Sequence, residues 1–191
     1  MSFFAYANDP VLPARRAFLG SSTLVLSGAA VALLAGRDAL ARTGGKATEA
    51  DVRILNSALA SEQEAIAAYQ VGAQSGLLQK PALDLAVTFQ GHHGEHAAAL
   101  TRTIASLGGK PVEPKAKYVF PTDKLKSQDD VLRFAASLEK GAVAAYLGAV
   151  PAFGDRELAR VAASVLGDEA MHWAVLRQAI GEAPVPGAFV G

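Results

Sequence analysis

The chain has 191 residues, 18 basic against 18 acidic side chains, and no cysteine. That length predicts one domain, and the zero net charge argues against a nucleic-acid binder held through phosphate contacts. The missing cysteines exclude disulfides, thiolate metal sites, iron-sulfur clusters and cysteine nucleophiles.

The N-terminal segment reads as a targeting element rather than part of a fold. Arg15 and Arg16, with Phe18 and Leu19 just behind, open an uncharged run from Phe18 to Gly36; Ala39-Leu40-Ala41 then has the small-x-small form of a leader-peptidase site. The paired arginines resemble a bacterial twin-arginine export signal. The expectation is a signal at 1–41 cleaved after Ala41, a periplasmic or exported destination, and no stable membrane insertion after processing. The alternative is a retained anchor, since a helix of about 20 uncharged residues could cross a bilayer.

After a flexible start at 42–47, residues 48–181 are expected to form four long helices, followed by a tail at 182–191. Thr48-Glu49-Ala50-Asp51 is a capping-box-like opening for a first helix reaching Gly76. Pro81 suits the first turn of a second helix, which ends at Gly108-Gly109. Pro111, Pro114 and Pro121 mark a connection longer than an ordinary helix-hairpin loop. Ser127 and Asp130 then cap a third helix that stops at Pro151 and Gly154, and Asp155 caps a fourth ending at Gly181. Short, long and short connections describe two antiparallel hairpins joined by one long crossover.

Periodicity assigns the inward-facing polar residues. Leu55, Leu59, Ile66 and Tyr69 share the stripe of Glu62; Leu132, Val143 and Tyr146 flank Glu139 in the same way. Glu64 and Glu95 fall on polar faces and are read as solvated. A carboxylate on an apolar stripe is costly unless a proton, a cation or a metal neutralises it. The chain has four histidines, at 92, 93, 96 and 172, and all are read as inward-facing. His92, His93 and His96 lie among Leu85, Phe89, Leu100 and Ile104, while Glu169 and His172 form an E-x-x-H pair beside Val165, Leu166, Val175 and Leu176. Spacings of three and four residues bring two imidazoles to one metal-facing surface.

The two halves of the chain repeat one plan. Glu62 to Tyr69 aligns with Glu139 to Tyr146 as E-x-x-A-[IV]-A-A-Y, and His96 to Leu100 aligns with His172 to Leu176. The same register pairs His93 with Glu169 and His92 with Asp168. Tyr69 and Tyr146 lie two turns, about 10 Å, from the glutamate on their own helix. They are candidates either for hydrogen-bond donors or redox-active groups beside a metal site, or for core aromatics whose hydroxyls find partners. Trp173 points about 100° away from His172 around the helix and is assigned to packing. Asp168 could orient the free ring nitrogen of His172 or be a solvated surface residue.

Glutamate, paired-ligand helix, long crossover, glutamate and E-x-x-H together resemble the ferritin-like superfamily of bacterioferritins, rubrerythrins and manganese catalases. An exported subgroup with an H-x-x-H form is the nearest resemblance. It covers about residues 48–181 and implies an all-α, ferritin-like antiparallel four-helix bundle. Carried over, Glu62 and Glu139 would be terminal carboxylates, Glu169 a bridging carboxylate, and His96 and His172 terminal imidazoles. At position 93 the family pattern has glutamate and this chain has histidine. His93 therefore joins the candidate ligands as a departure, with His92 as a further candidate. The resemblance implies a transition metal, iron first, as one or two ions, with manganese, zinc or copper as alternatives.

The substitution changes the charge balance. Two divalent ions are cancelled by four carboxylates, but only three remain here, and the imidazoles shift preference toward nitrogen-loving metals over manganese. Since imidazole binds metal only when neutral, affinity should fall below about pH 6.5. Two functional readings follow. One is a metal-dependent oxidoreductase reacting with dioxygen or peroxide; the other is a non-enzymatic metal-binding or stress-protective scaffold. A homo-oligomer is compatible with either.

Overall fold

A computed structural model describes residues 47–190; the expected signal at 1–41 and most of the start that follows it lie outside those residues. Among the described residues the chain forms four helices and no strand: α1 (Glu49–Gln74), α2 (Lys80–Ser106), α3 (Gln128–Ala149) and α4 (Arg156–Ala179). Short 3-10 turns occur at Thr122–Lys124 and Val150–Ala152. The expected all-α architecture, two helical hairpins joined by a long crossover, is the one found.

The helix ends follow their sequence signals. Thr48 and Asp51 form the capping box: the Asp51 amide donates to Thr48 Oγ1 at 3.2 Å, and the Thr48 amide donates to Asp51 Oδ2 at 2.7 Å. Asp51 has a second task that its spacing did not announce. It is fully buried, and its Oδ1 accepts the Gly154 amide at 2.7 Å, tying the start of α1 to the turn between α3 and α4. Ser127 caps α3, and Asp155 caps α4 by accepting from the amides of Glu157 and Leu158. The C-terminus of α2 depends on two glycines. Gly108 takes a left-handed φ of 78°, and a Cβ on Gly109 would stand 2.6 Å from Val52 Cγ1.

Each hairpin packs its own two helices together, and α1 then lies beside α3 as α2 lies beside α4. The crossover runs along α1, where Asn56 accepts from the Val112 amide at 2.7 Å and donates to the Lys110 carbonyl at 3.2 Å, and Gln63 donates to the Val112 carbonyl at 3.0 Å. Beyond α4, Glu182 is held by Arg133 at 2.7 Å and Arg177 at 2.8 Å.

The apolar core is divided along the bundle axis. Tyr69, Phe89, Leu132 and Leu176 pack in one cluster; Leu55, Leu59, Leu100, Ile104 and Leu158 pack in another. Between them in sequence position on α1, α2 and α4, and beyond Leu132 on α3, lies a layer of buried ionisable side chains. Trp173 packs onto the first cluster, with the Arg177 guanidinium 5.4 Å from its ring, as the packing assignment requires. Val175 departs from its expected place on the inward stripe. It is exposed, because it sits at the edge of the α4 face whose centre holds His172 and Leu176.

Candidate metal centre

Each helix supplies the central layer from the middle of its apolar stripe. Glu62 comes from α1, His93 and His96 from α2, Glu139 from α3, and Glu169 and His172 from α4. Glu62, His93, Glu139, Glu169 and His172 are at most 2% exposed. The side chain of His96 is 15% exposed. Their potential ligand atoms fall into two overlapping sets, Glu62-His93-His96-Glu169 and His93-Glu139-Glu169-His172, with the atoms of each set within 4.8 Å of one another.

His93 and Glu169 belong to both sets, and the internal repeat pairs these same two positions. The two ring nitrogens of His93 face different halves: Nδ1 is 2.7 Å from Glu62 Oε2, and Nε2 is 3.3 Å from Glu139 Oε1. His96 Nδ1 is 3.2 Å from Glu169 Oε1, and His172 Nδ1 is 3.4 Å from Glu169 Oε2.

The two tyrosines cross between helices. Tyr69 of α1 donates its hydroxyl to Glu139 of α3, and Tyr146 of α3 donates to Glu62 of α1. Two turns separate each tyrosine from the glutamate of its own helix, so it serves the equivalent glutamate on the other. Burial first, and then the adjacent glutamate charge, push both phenols well above their ordinary range, leaving them protonated donors.

His92 corrects the expectation that all four histidines face inward. One residue before His93, it is rotated about 100° around the helix, and its side chain is 42% exposed. It belongs to neither buried set. With Asp168 and His172 it forms a third group at the rim, where Asp168 Oδ2 lies 3.2 Å from both His92 Nδ1 and His172 Nε2. The same Asp168 oxygen is 3.5 Å from His96 Nε2. One carboxylate therefore faces the outer nitrogens of His96 and His172, whose Nδ1 atoms point toward Glu169. An orienting carboxylate, one of the two readings the sequence left open for Asp168, would stand in such a position. Phe89 stacks on the His172 ring with centroids 4.0 Å apart, a contact that a flanking apolar residue in the sequence did not specify.

Glu95 is exposed, and Glu64 is half-exposed and paired with Lys115 at 3.6 Å, so both stand apart from the buried layer.

The electrostatics show how strongly the layer calls for positive charge. Burial would lower the histidine pKa values, but neighbouring carboxylates outweigh it. Glu139, Glu62 and Glu169 raise His93 to about 10; Glu169 and Glu62 raise His96 to about 9; Asp168, Glu139 and Glu169 raise His172 to about 11. Burial pushes Glu62 upward, yet His93 and His96 bring it down to about 2, and His172 and His93 likewise hold Glu139 far below the carboxylate range. Glu169, for which burial prevails, is raised.

Protons on these histidines neutralise the carboxylates but do not complete the hydrogen bonding. His96 Nδ1, His172 Nδ1, Glu139 Oε2 and both oxygens of Glu169 are buried and make no aligned hydrogen bond among the described residues, the 3.2 and 3.4 Å approaches of the two histidines to Glu169 included. Unsatisfied buried groups of this kind cost about 1–3 kcal/mol each. Once the histidines release their protons, nitrogen and oxygen lone pairs converging from three helices are the donor set a transition-metal cation would complete, so the residues fit such an ion.

Comparison with known proteins agrees with this architecture. Solved structures similar to this chain include a conserved hypothetical protein from Mycobacterium tuberculosis, with 22% identity, a TM-score of 0.64, and coverage of 74% of this chain and 97% of that one. A second comes from Bacillus anthracis and is described as a ferritin-like, diiron-carboxylate protein. It has 20% identity, a TM-score of 0.59, and coverage of 68% and 94%. At these identities the likeness speaks to the fold. No curated protein matches the chain. The model of the ferritin-like domain family matches residues 50–182, across all four helices and the crossover, and the chain belongs to that family.

Proposed function

We propose that the protein binds a transition metal, iron first, between its four helices, and that the loaded centre reacts with dioxygen or peroxide. The observation that carries this reading is the convergence of five unpartnered buried donor atoms within the two overlapping ligand sets. The diiron-carboxylate description of the Bacillus anthracis protein supports it through the shared fold. Glu62, His93, His96 and Glu169 would hold one ion, and His93, Glu139, Glu169 and His172 a second. Bound there, the metal would supply electrons to reduce the oxidant.

The chain's own residues prepare the site. Tyr69 and Tyr146 hold one oxygen of Glu139 and Glu62 respectively, restricting the carboxylates to one orientation. Asp168 Oδ2 faces the outer nitrogens of His96 and His172 at 3.5 and 3.2 Å, and His92 Nδ1 lies 2.9 Å from His172 Nε2, so the Nδ1 atoms of His96 and His172 are the ones turned toward metal. Phe89 packs flat against the His172 ring on one face.

His93 favours a second reading, a metal-binding or stress-protective protein without catalysis. Its nitrogens already meet Glu62 and Glu139, so in the metal-free protein it occupies the centre as a cation. Elemental analysis of the natively produced protein against His96→Ala and Glu169→Ala tests the site. Both variants should lose metal, and retention at the parent level in both would refute the assignment. Two metals per chain with consumption of oxidant supports the oxidoreductase, whereas one metal without consumption supports the scaffold.

We further propose that residues 1–41 act as a twin-arginine export signal. N-terminal sequencing of the native protein should begin at Arg42; a start at Met1 would refute cleavage.

A further inference from the structure

A cavity of about 480 Å³ opens between α1 and α3 and reaches Glu62, His93, Glu139 and Tyr146. Its volume lies in the range of about 300–1,000 Å³ usual for small-molecule sites and far exceeds what a diatomic oxidant needs. Small apolar residues make most of the walls, Ala58 and Ala65 on α1 and Gly141, Ala142, Ala145 and Gly148 on α3, and Ser57, Ser61 and Glu64 of α1 also line it. The cavity is open to solvent on this side, where Gly141 and Gly148 are exposed and a Cβ on either would meet no atom within 4 Å. Ala65 and Ala142 are the alanines of the repeated E-x-x-A motif, each one turn beyond a buried glutamate. Packing does not explain their size, because a larger side chain at either position would have this cavity to occupy.

A metal ion has no reason to use this route. A hydrated cation would lose its water mostly against alanine and glycine, with only Ser57, Ser61 and Glu64 offering oxygens before the buried layer is reached. The opposite face of the bundle, between α2 and α4, presents His92 and Asp168 at 42% and 24% side-chain exposure. Polar access and apolar access thus reach the same layer from opposite sides.

We propose that the α1–α3 cavity binds an uncharged, mainly apolar organic molecule whose single polar end points at the layer of Glu62, His93 and Glu139. The proposal rests on the metal reading for what that end meets, and on the cavity alone for binding. Carboxylates at the floor disfavour anionic ligands, and apolar walls disfavour sugars and nucleotides.

The test uses the full chain and N-phenyl-1-naphthylamine, a neutral fluorophore that brightens in apolar surroundings, displaced by 1-decanol. The expected result is one saturable, decanol-displaceable site per chain, weakened at least tenfold in both Ala65→Phe and Ala142→Phe while metal content and melting temperature stay at the parent level. Two variants on different helices guard against one failing to fold. His96→Ala should lose metal and keep the probe, so failure of the metal reading appears as retained metal in that variant, separately from the cavity result. Absence of saturable binding, or binding unchanged in both phenylalanine variants, overturns the proposal. So does a parent dimer that Ala142→Phe dissociates in sedimentation, since a second copy would then cover the cavity.

Discussion

His93 is where this chain parts from the four-carboxylate pattern, and its environment shows what the change does. An imidazole with Nδ1 toward Glu62 and Nε2 toward Glu139 can carry a proton where a carboxylate could only add negative charge. The metal-free layer is thereby held near neutrality, at the expense of attraction for a second divalent ion. Replacing His93→Glu should raise iron occupancy toward two per chain in elemental analysis; unchanged occupancy would refute the charge argument. The crossed tyrosines give a second prediction at this scale. Tyr69→Phe removes a buried donor to a charged carboxylate, so denaturant unfolding of the metal-free protein should show a loss of about 1.5–3 kcal/mol. Tyr146→Phe should behave alike, since its partner Glu62 is equally buried. A loss in only one variant would contradict the equivalence that the repeat implies.

At the level of elements, the caps do more than start helices. Asp51 closes the capping box of α1 and also accepts the Gly154 amide from the α3–α4 turn, joining the two hairpins away from the candidate centre. Burial raises its pKa, but the amides of Thr48 and Gly154 prevail and hold it below the ordinary value of 3.8. Its contribution to stability is therefore present above about pH 4 and lost as pH falls through the lowered folded value. Asp51→Ala should cost about 1–3 kcal/mol in denaturant unfolding at pH 7 and proportionally less at pH 3, with metal content unchanged. A cost independent of pH would assign the effect to packing instead. The E-x-x-A alanines also act at this scale, since their small size leaves α1 and α3 lining a cavity above the glutamates.

For the molecule as a whole, the proposed metal would compete with protons for one buried layer. In the metal-free protein His93, His96 and His172 have pKa values raised to about 10, 9 and 11 from 6.5. A raised histidine stabilises the fold fully below its unfolded pKa and ceases to do so as pH rises through the folded value. The melting temperature of the metal-free protein should accordingly decline between about pH 6.5 and 11, while the metal-loaded protein, whose histidines are neutral, should hold its value through most of that range. Metal binding should also release protons at neutral pH, measurable as a calorimetric dependence on buffer ionisation enthalpy. The expected weakening below about pH 6.5 thus moves to a higher window, because the carboxylates that make the histidines a site also hold their protons. Parallel melting curves for the two forms would refute this coupling.

Local pattern in the sequence was enough for four helices, their caps at Thr48, Ser127 and Asp155, the long crossover, and six side chains on inward stripes. Each of these depends on neighbours within a turn or two, which spacing encodes. Contacts between helices are not encoded that way. That Tyr69 reaches Glu139 rather than Glu62, that one Asp168 oxygen faces three histidines, and that His92 stands at the rim were decided by how the hairpins meet. The same holds for the cavity. Alanine at i+3 from a glutamate reads as helix-forming filler along the chain, and only the separation of α1 from α3 makes it the wall of an opening onto the buried charges.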